Sequence, residues 1–226
     1  MIVFGALAAI ALLGLIFGPS MWVRAVMRKH AVERPDFPGN GGELARHLLD
    51  KFLLPDVGVE ETPAGTDHYD PTARVVRLSP ENLTGRSITA VTVAAHEVGH
   101  ALQHRDGDRF LVARTKWASS IGMLNLVAMG LLVSVPIVAI LIKSPAIALL
   151  QVVAIAALLA SRIVMHVLTL PVEFDASFKR ALPALQQGGY LSEADLPAAR
   201  SVLKAAAMTY VAGALASLLD VARWMR

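Results

Sequence analysis

Cysteine is absent from the 226 residues. That excludes disulfides and thiolate ligands together, so any metal site must be built from His with Asp or Glu. Charge is absent from long stretches: neither Met1 to Val23 nor Trp117 to Ile142 carries any. About 20 apolar residues suffice to cross the hydrocarbon core of a bilayer, so both runs can span. Also missing are low-complexity tracts, repeats of fixed period and the Gly-Lys-Ser/Thr ending of a phosphate loop. Apolar residues are in excess, at 55% of the chain against the usual globular share of about 45–50%, with a mean hydropathy of +0.54. The formal net charge is +3 and the isoelectric point about 9.4. Lys and Arg gather at the ends of apolar runs, where they anchor helices to anionic lipid, and no nucleic-acid partner is expected.

The ordinary polar composition is confined to about Arg24 to Lys116, which predicts one lobe outside the hydrocarbon. Met1 to Val23 reads as an uncleaved anchor, because its basic residues Arg24, Arg28 and Lys29 follow the apolar run and do not precede it. Arg34 to Gly42 is dense in turn-forming residues and reads as a linker. Glu43 to Leu54, with Leu44, His47, Leu48 and Phe52 on one face, predicts a helix ended by Pro55. Val57 to Glu61 and Arg74 to Leu78 read as two strands with a loop between them, and Ser79 to Gly85 as a turn-rich stretch. Ser87 can cap a helix running to about Arg105 and stopped by Asp106-Gly107. Trp117 to Ile142, the tight Lys143-Ser144-Pro145 connection and Ala146 to about Leu170 make a transmembrane hairpin. Pro171 then breaks or kinks the chain before a short surface helix from Val172 to Leu182.

The expected fold is a mainly α membrane protein, three or four transmembrane helices carrying a small α+β lobe. Its segments are an anchor at 1–23, the lobe at 24–116, a transmembrane hairpin at 117–170, a connecting helix at 171–200 and a C-terminal apolar helix at 201–226. A fourth span within the last segment, Ala205 to Ala222, would put the terminal Arg223 and Arg226 on the outer side, against the positive-inside tendency.

The chemistry lies in Ala94-Ala95-His96-Glu97-Val98-Gly99-His100. Residues four apart share a helix face, so His96 and His100 can direct imidazole nitrogens to one ion, with Glu97 beside them. Zinc on such ligands lowers the pKa of a bound water toward about 7. Glu97 can accept the water's proton and later give it to a leaving amine. The pattern therefore points to a zinc metalloprotease with one Zn2+ per chain and Glu97 as catalytic base. Gly99 and the small residues Ala94, Ala95 and Ala101 allow other elements to pack closely on this helix.

A catalytic zinc usually takes three protein ligands. His104 lies about 12 Å along the helix axis from His96 at roughly 1.5 Å per residue, too far to share an ion. Glu173 and Asp175, on the segment after Pro171, are the remaining candidates, and spacing leaves both open. Asp175 could instead pair with Lys179 at i,i+4.

Ser20-Met21-Trp22-Val23, Phe37-Pro38-Gly39, Asp67-His68-Tyr69-Asp70-Pro71, the segment around His96 and Leu170-Pro171-Val172-Glu173-Phe174 follow one another in an order that resembles the YugP-type bacterial membrane zinc metallopeptidases. The resemblance covers nearly the whole chain. It implies a gluzincin-like site in which His96, His100 and Glu173 bind zinc and Glu97 is catalytic. More distantly the chain is similar to HtpX-like and CAAX-prenyl-protease metalloproteases. There a carboxylate supports a ligand histidine from the position that Ser177 occupies here, so this part of the outer shell must differ.

Further candidates are weaker. His68, Tyr69 and His166 could stabilise an oxyanion. Arg162 interrupts an apolar run, and either snorkels to its end or partners a carboxylate of the lobe. The strand Arg74 to Leu78 precedes the motif helix and could pair with an extended substrate. The basic flanks after the first span and before the second place the lobe in the cytoplasm of a multi-pass, bacterial membrane protein. Protein or peptide substrates are expected, membrane proteins among them, with the lipid bilayer as the other partner. The alternative is a catalytically inactive membrane protein that zinc only stabilises, acting as a scaffold. The polar residues flanking the motif, Arg86 and Thr89 before it and Arg105 and Asp106 after it, leave too few apolar residues for an intramembrane protease.

Overall fold

A computed structural model describes residues 2–224. Within the apolar helices some side chains, those of Arg162, His166, Asp220 and Arg223 among them, lie outside the described residues, as does Arg226 entirely. Eight α-helices are described: α1 Ile2–Lys29, α2 Gly41–Lys51, α3 Pro80–Thr84, α4 Ile88–Arg105, α5 Arg109–Ile142, α6 Pro145–Phe174, α7 Leu182–Gln187 and α8 Leu196–Trp224. A π-helix, Asp175–Ala181, joins α6 to α7, and three strands, β1 Gly58–Glu61, β2 His68–Asp70 and β3 Val75–Leu78, form one sheet.

Helix α2 starts two residues earlier than its glycines suggest. Asn40 caps it: the Asn40 side chain accepts from the Glu43 N–H at 2.8 Å and the Glu43 carboxylate accepts from the Asn40 N–H at 2.8 Å, the reciprocal pair of a capping box. Glycine at 41 serves close packing, since a Cβ there would come within 2.1 Å of the Asn82 carbonyl of α3. Leu44, Leu48 and Leu49 fall on one buried face of α2, each contributing about 1.5–3 kcal/mol by burial. They pack with Leu54, Val76, Leu78 and Val98 of the following elements.

The sheet order is β1-β3-β2, with β1 parallel and β2 antiparallel to β3. Sequence reading missed β2, whose three residues are mostly polar and sit in a turn-rich stretch. The Asp70 carboxylate accepts from the Thr72 and Ala73 N–H groups at 2.9 and 3.0 Å and shapes the β2–β3 turn. Strand β3 is therefore central and paired along both edges, so Arg74 to Leu78 is not the segment that could receive a substrate. Edge strand β2 is the one beside the cavity described below. The stretch expected to be all turn, Ser79 to Gly85, contains the single-turn helix α3.

Ser87 caps α4 by accepting from the Ala90 N–H at 3.1 Å, and the helix is buried from Ile88 to Gln103. Pro171 does not break the chain, and Val172 to Leu182 is not a separate helix. Helix α6 continues through Pro171 to Phe174 and widens into the π-helix, with Val172, Glu173, Ala176 and Ser177 at most 1% exposed. The π-helix packs against α4 and α8, and this burial outweighs the hydrogen bond that proline removes.

Among the described residues α5 is long and apolar enough to cross a bilayer: its most apolar 18-residue window has a hydropathy of 2.5 and is only 6% buried within the protein. Pro145–Leu158 of α6 is a shorter apolar stretch. The expected tight connection between these two helices is present, with Lys143 left-handed at φ 51. Gln151 of α6 donates to the Leu131 carbonyl at 2.8 Å and to the Ser134 hydroxyl at 2.7 Å, tying the hairpin together. Helix α8 is partly lobe in character: Ala199, Val202, Leu203, Ala205 and Ala207 are fully buried. Arg34 donates to Asp195, the residue before α8, at 2.8 Å and so pins the post-α1 linker to the start of that helix.

Candidate metal centre

The i,i+4 spacing on α4 places the His96 and His100 rings side by side, centroids 4.7 Å apart and planes at 77°. Both Nε2 atoms face one oxygen of Glu173, at 3.2 Å from His96 and 3.3 Å from His100. One donor atom from each of the three residues lies within 4.8 Å of the others, and all three side chains are buried. This is a set that fits zinc. Bonds of about 2.0–2.1 Å at tetrahedral angles put donors roughly 3.3 Å apart, the separation found between Glu173 and each histidine.

Each donor is held from behind. His100 Nδ1 lies 2.9 Å from Gln103 Oε1, an acceptor, so Nδ1 carries the proton and Nε2 is left with its lone pair toward Glu173. The Gln103 amide in turn donates to the Val172 carbonyl at 2.8 Å and to Asp175 at 2.9 Å. His96 Nδ1 lies 3.0 Å from the Ser177 hydroxyl, which donates to the Leu203 carbonyl at 3.3 Å. That relay orients His96 with a neutral group in the place where the more distant metalloproteases carry a carboxylate, the expected difference in the outer shell. Arg114 donates to the second Glu173 oxygen at 2.6 Å, leaving the first for the histidines. Burial alone would raise the Glu173 carboxyl, but His100 and His96 hold it well below the usual carboxylate range.

Glu97 is 6% exposed and lines a cavity of about 1000 Å³ that also contains His96, His100 and Glu173. Burial pushes its carboxyl up to about 7, helped by the negative Glu173 and Asp67 and opposed by His96 and Arg114. A divalent cation a few ångströms away favours the ionised form. The group can thus take and return a proton near neutral pH.

The other candidates fall elsewhere. His104 accepts or donates at Nδ1 to the Tyr69 hydroxyl at 2.8 Å and is not in the donor cluster. Asp175 faces Gln103 and Arg180, with Lys179 at the expected i,i+4 position 3.5 Å away. His68 and Tyr69 line the cavity, but the His68 Nδ1–H donates to the Thr66 carbonyl at 2.7 Å. Gln103 and Arg114 escaped sequence reading, and Ser177 was noted only as a departure from the similar proteases. Ser177 lies four residues beyond Glu173 and Gln103 three beyond His100, so helical spacing could have indicated both. Arg114 reads as a helix-flanking charge, and only the fold turns it inward, where it also donates to the Tyr210 hydroxyl.

The sequence model of a family described as "Putative neutral zinc metallopeptidase" matches residues 5–226. The "Putative membrane protease YugP" of Bacillus subtilis (strain 168) is 38% identical over 234 aligned positions, covering 96% of this chain and 92% of the relative. No solved structure matches.

Proposed function

Because the chain belongs to this neutral zinc metallopeptidase family, we propose that it is a membrane-bound endopeptidase that hydrolyses peptide bonds at a zinc ion held by His96, His100 and Glu173. The observation that carries this reading is the convergence of two imidazole Nε2 atoms on one carboxylate oxygen, with Glu97 in the same cavity. When bound, the ion supplies Lewis acidity toward the attacking water and the peptide carbonyl. Glu97 takes the water's proton on its carboxylate and returns it to the departing amine. Gln103 and Ser177 keep the imidazoles in the Nδ1–H tautomer, and Arg114 keeps Glu173 charged and turned toward them. Tyr210 lines the same cavity with its hydroxyl held by Arg114, so we assign it to the oxyanion that develops on the carbonyl.

The apolar runs on α1, α5, α6 and α8 support a multi-pass arrangement with three or four spans. The basic flanks Arg24, Arg28, Lys29, Arg105, Arg109, Arg114 and Lys116 support a site on the cytoplasmic side. A protein that zinc merely stabilises needs no base, and the carboxylate of Glu97 beside the donors favours the enzyme. Purified wild-type protein in detergent should cleave an unstructured protein substrate, and Glu97→Gln should lose at least about 100-fold of that activity while holding as much zinc. Equal activity in the two would remove Glu97 from the reaction.

A further inference from the structure

The active-site cavity is walled by transmembrane helices as well as by the lobe. Among the described residues α1 packs on α8, α8 on α6 and α6 on α5, and no packing of that extent brings α5 back to α1. Among the described residues α1 and α5 are thus the two ends of an arc. The cavity lies between those ends: Val23 and Met27 of α1 and Leu111 and Thr115 of α5 line it, together with Tyr210 of α8 and Glu97 of α4. Val23 is the last residue of the first uncharged run and Thr115 lies two residues before the second begins, so this part of the cavity stands where both helices leave the apolar slab.

From this arrangement, which rests on the reading of the site as a protease centre, we infer that the substrate is a bilayer-anchored protein whose juxtamembrane segment enters sideways between α1 and α5. Extended backbone cannot lie in hydrocarbon without leaving its polar groups unpaired. A scissile segment must therefore reach the site at the water boundary, which is the level of this part of the cavity. The other wall there is the edge strand β2, whose His68 and Tyr69 also face the cavity. The free edge of β2 can hold an incoming strand, so the substrate runs from its own membrane helix, between α1 and α5, onto β2 beside Glu97.

The test uses full-length protein in proteoliposomes with three substrates that share one cleavable sequence: one joined to a single membrane helix by about five residues, one joined by about forty, and one free in solution. Five extended residues reach at most about 18 Å, enough for lateral entry and too short for a path around the helices. Effective concentration falls roughly as the −3/2 power of tether length, so the short tether should be cut about 20-fold faster than the long one. In the Glu97→Gln protein, a photo-reactive residue at the membrane end of the short-tethered substrate should cross-link to α1 and α5. A long tether cut as fast as the short one, or adducts on α6, would overturn the inference. Either is the pattern of a space between α1 and α5 filled by lipid or by a second copy while substrate arrives from water. Cleavage of the free peptide alone leaves the protease reading intact and overturns lateral entry. If zinc-loaded protein cuts none of the three, the protease reading itself fails.

Discussion

At the residue scale the centre is divided between groups that touch reacting atoms and groups that hold them. Tyr210 is the sharpest test of that division, because its ring fills space on α8 while only its hydroxyl is assigned to chemistry. Tyr210→Phe should lower kcat by about 100- to 1000-fold, the range for losing one oxyanion donor, with KM changed little and zinc content unchanged. Steady-state kinetics beside metal analysis measure both, and an unaltered kcat would return the residue to packing alone. His96, Glu97 and His100 were legible in the sequence because one helix turn sets their geometry. Glu173 needed a contact 77 positions away in the chain from His96, and spacing favoured it over Asp175 without excluding the latter, a preference that the family resemblance strengthened. Tyr210 and Arg114 were not legible as partners at all, since neither lies within a helix turn of any ligand.

At the element scale, the site depends on how closely α4 and the π-helix approach. A Cβ on Gly99 would stand 2.7 Å from the Ala176 carbonyl oxygen, with that residue's C and Cα at 3.2 and 3.3 Å. These are backbone atoms and cannot rotate aside. Gly99→Ala should therefore push the π-helix away from α4, cost about 1–3 kcal/mol as overpacking does, and weaken zinc binding. Thermal unfolding and competition with a metal chelator would register it, and a variant equal to wild type in both would show that the contact yields. The smallness of Gly99 was visible in advance. What faced it was not, because Pro171 read as a stop and hid the continuous run from α6 into the π-helix. The sheet was misread for a related reason. A three-residue strand of His, Tyr and Asp has too few side chains to show a period of two, and without β2 the central position of β3 could not be inferred.

At the scale of the whole molecule, sidedness follows from charge and can be measured directly because the chain has no native thiol. A cysteine introduced as Thr66→Cys, in the exposed turn before β2, should resist a membrane-impermeant reagent in intact cells and react once they are permeabilised. Ready labelling in intact cells would invert the orientation without touching the zinc chemistry. The lobe itself could be drawn from sequence in outline, as a patch of ordinary polarity between uncharged runs. How the runs pack could not, because apolar stretches of similar composition carry no address for their neighbours.

One continuous rod, α6 with its π-helical extension, carries the apolar stretch Pro145–Leu158 at one end and Glu173 at the other, while the two histidines ride on α4. In the proposed multi-pass arrangement, the proposed third ligand is thus mounted on the part of the protein that must follow bilayer thickness. A slab thinner or thicker than the apolar length of α5 and α6 is met by tilting them, and a tilt about the membrane end is a displacement at the carboxylate. Zinc affinity should then vary with the acyl-chain length of the surrounding lipid and pass through an optimum. Chelator competition in vesicles of graded chain length would trace it, and a flat profile would mean that the hairpin tilts independently of the centre.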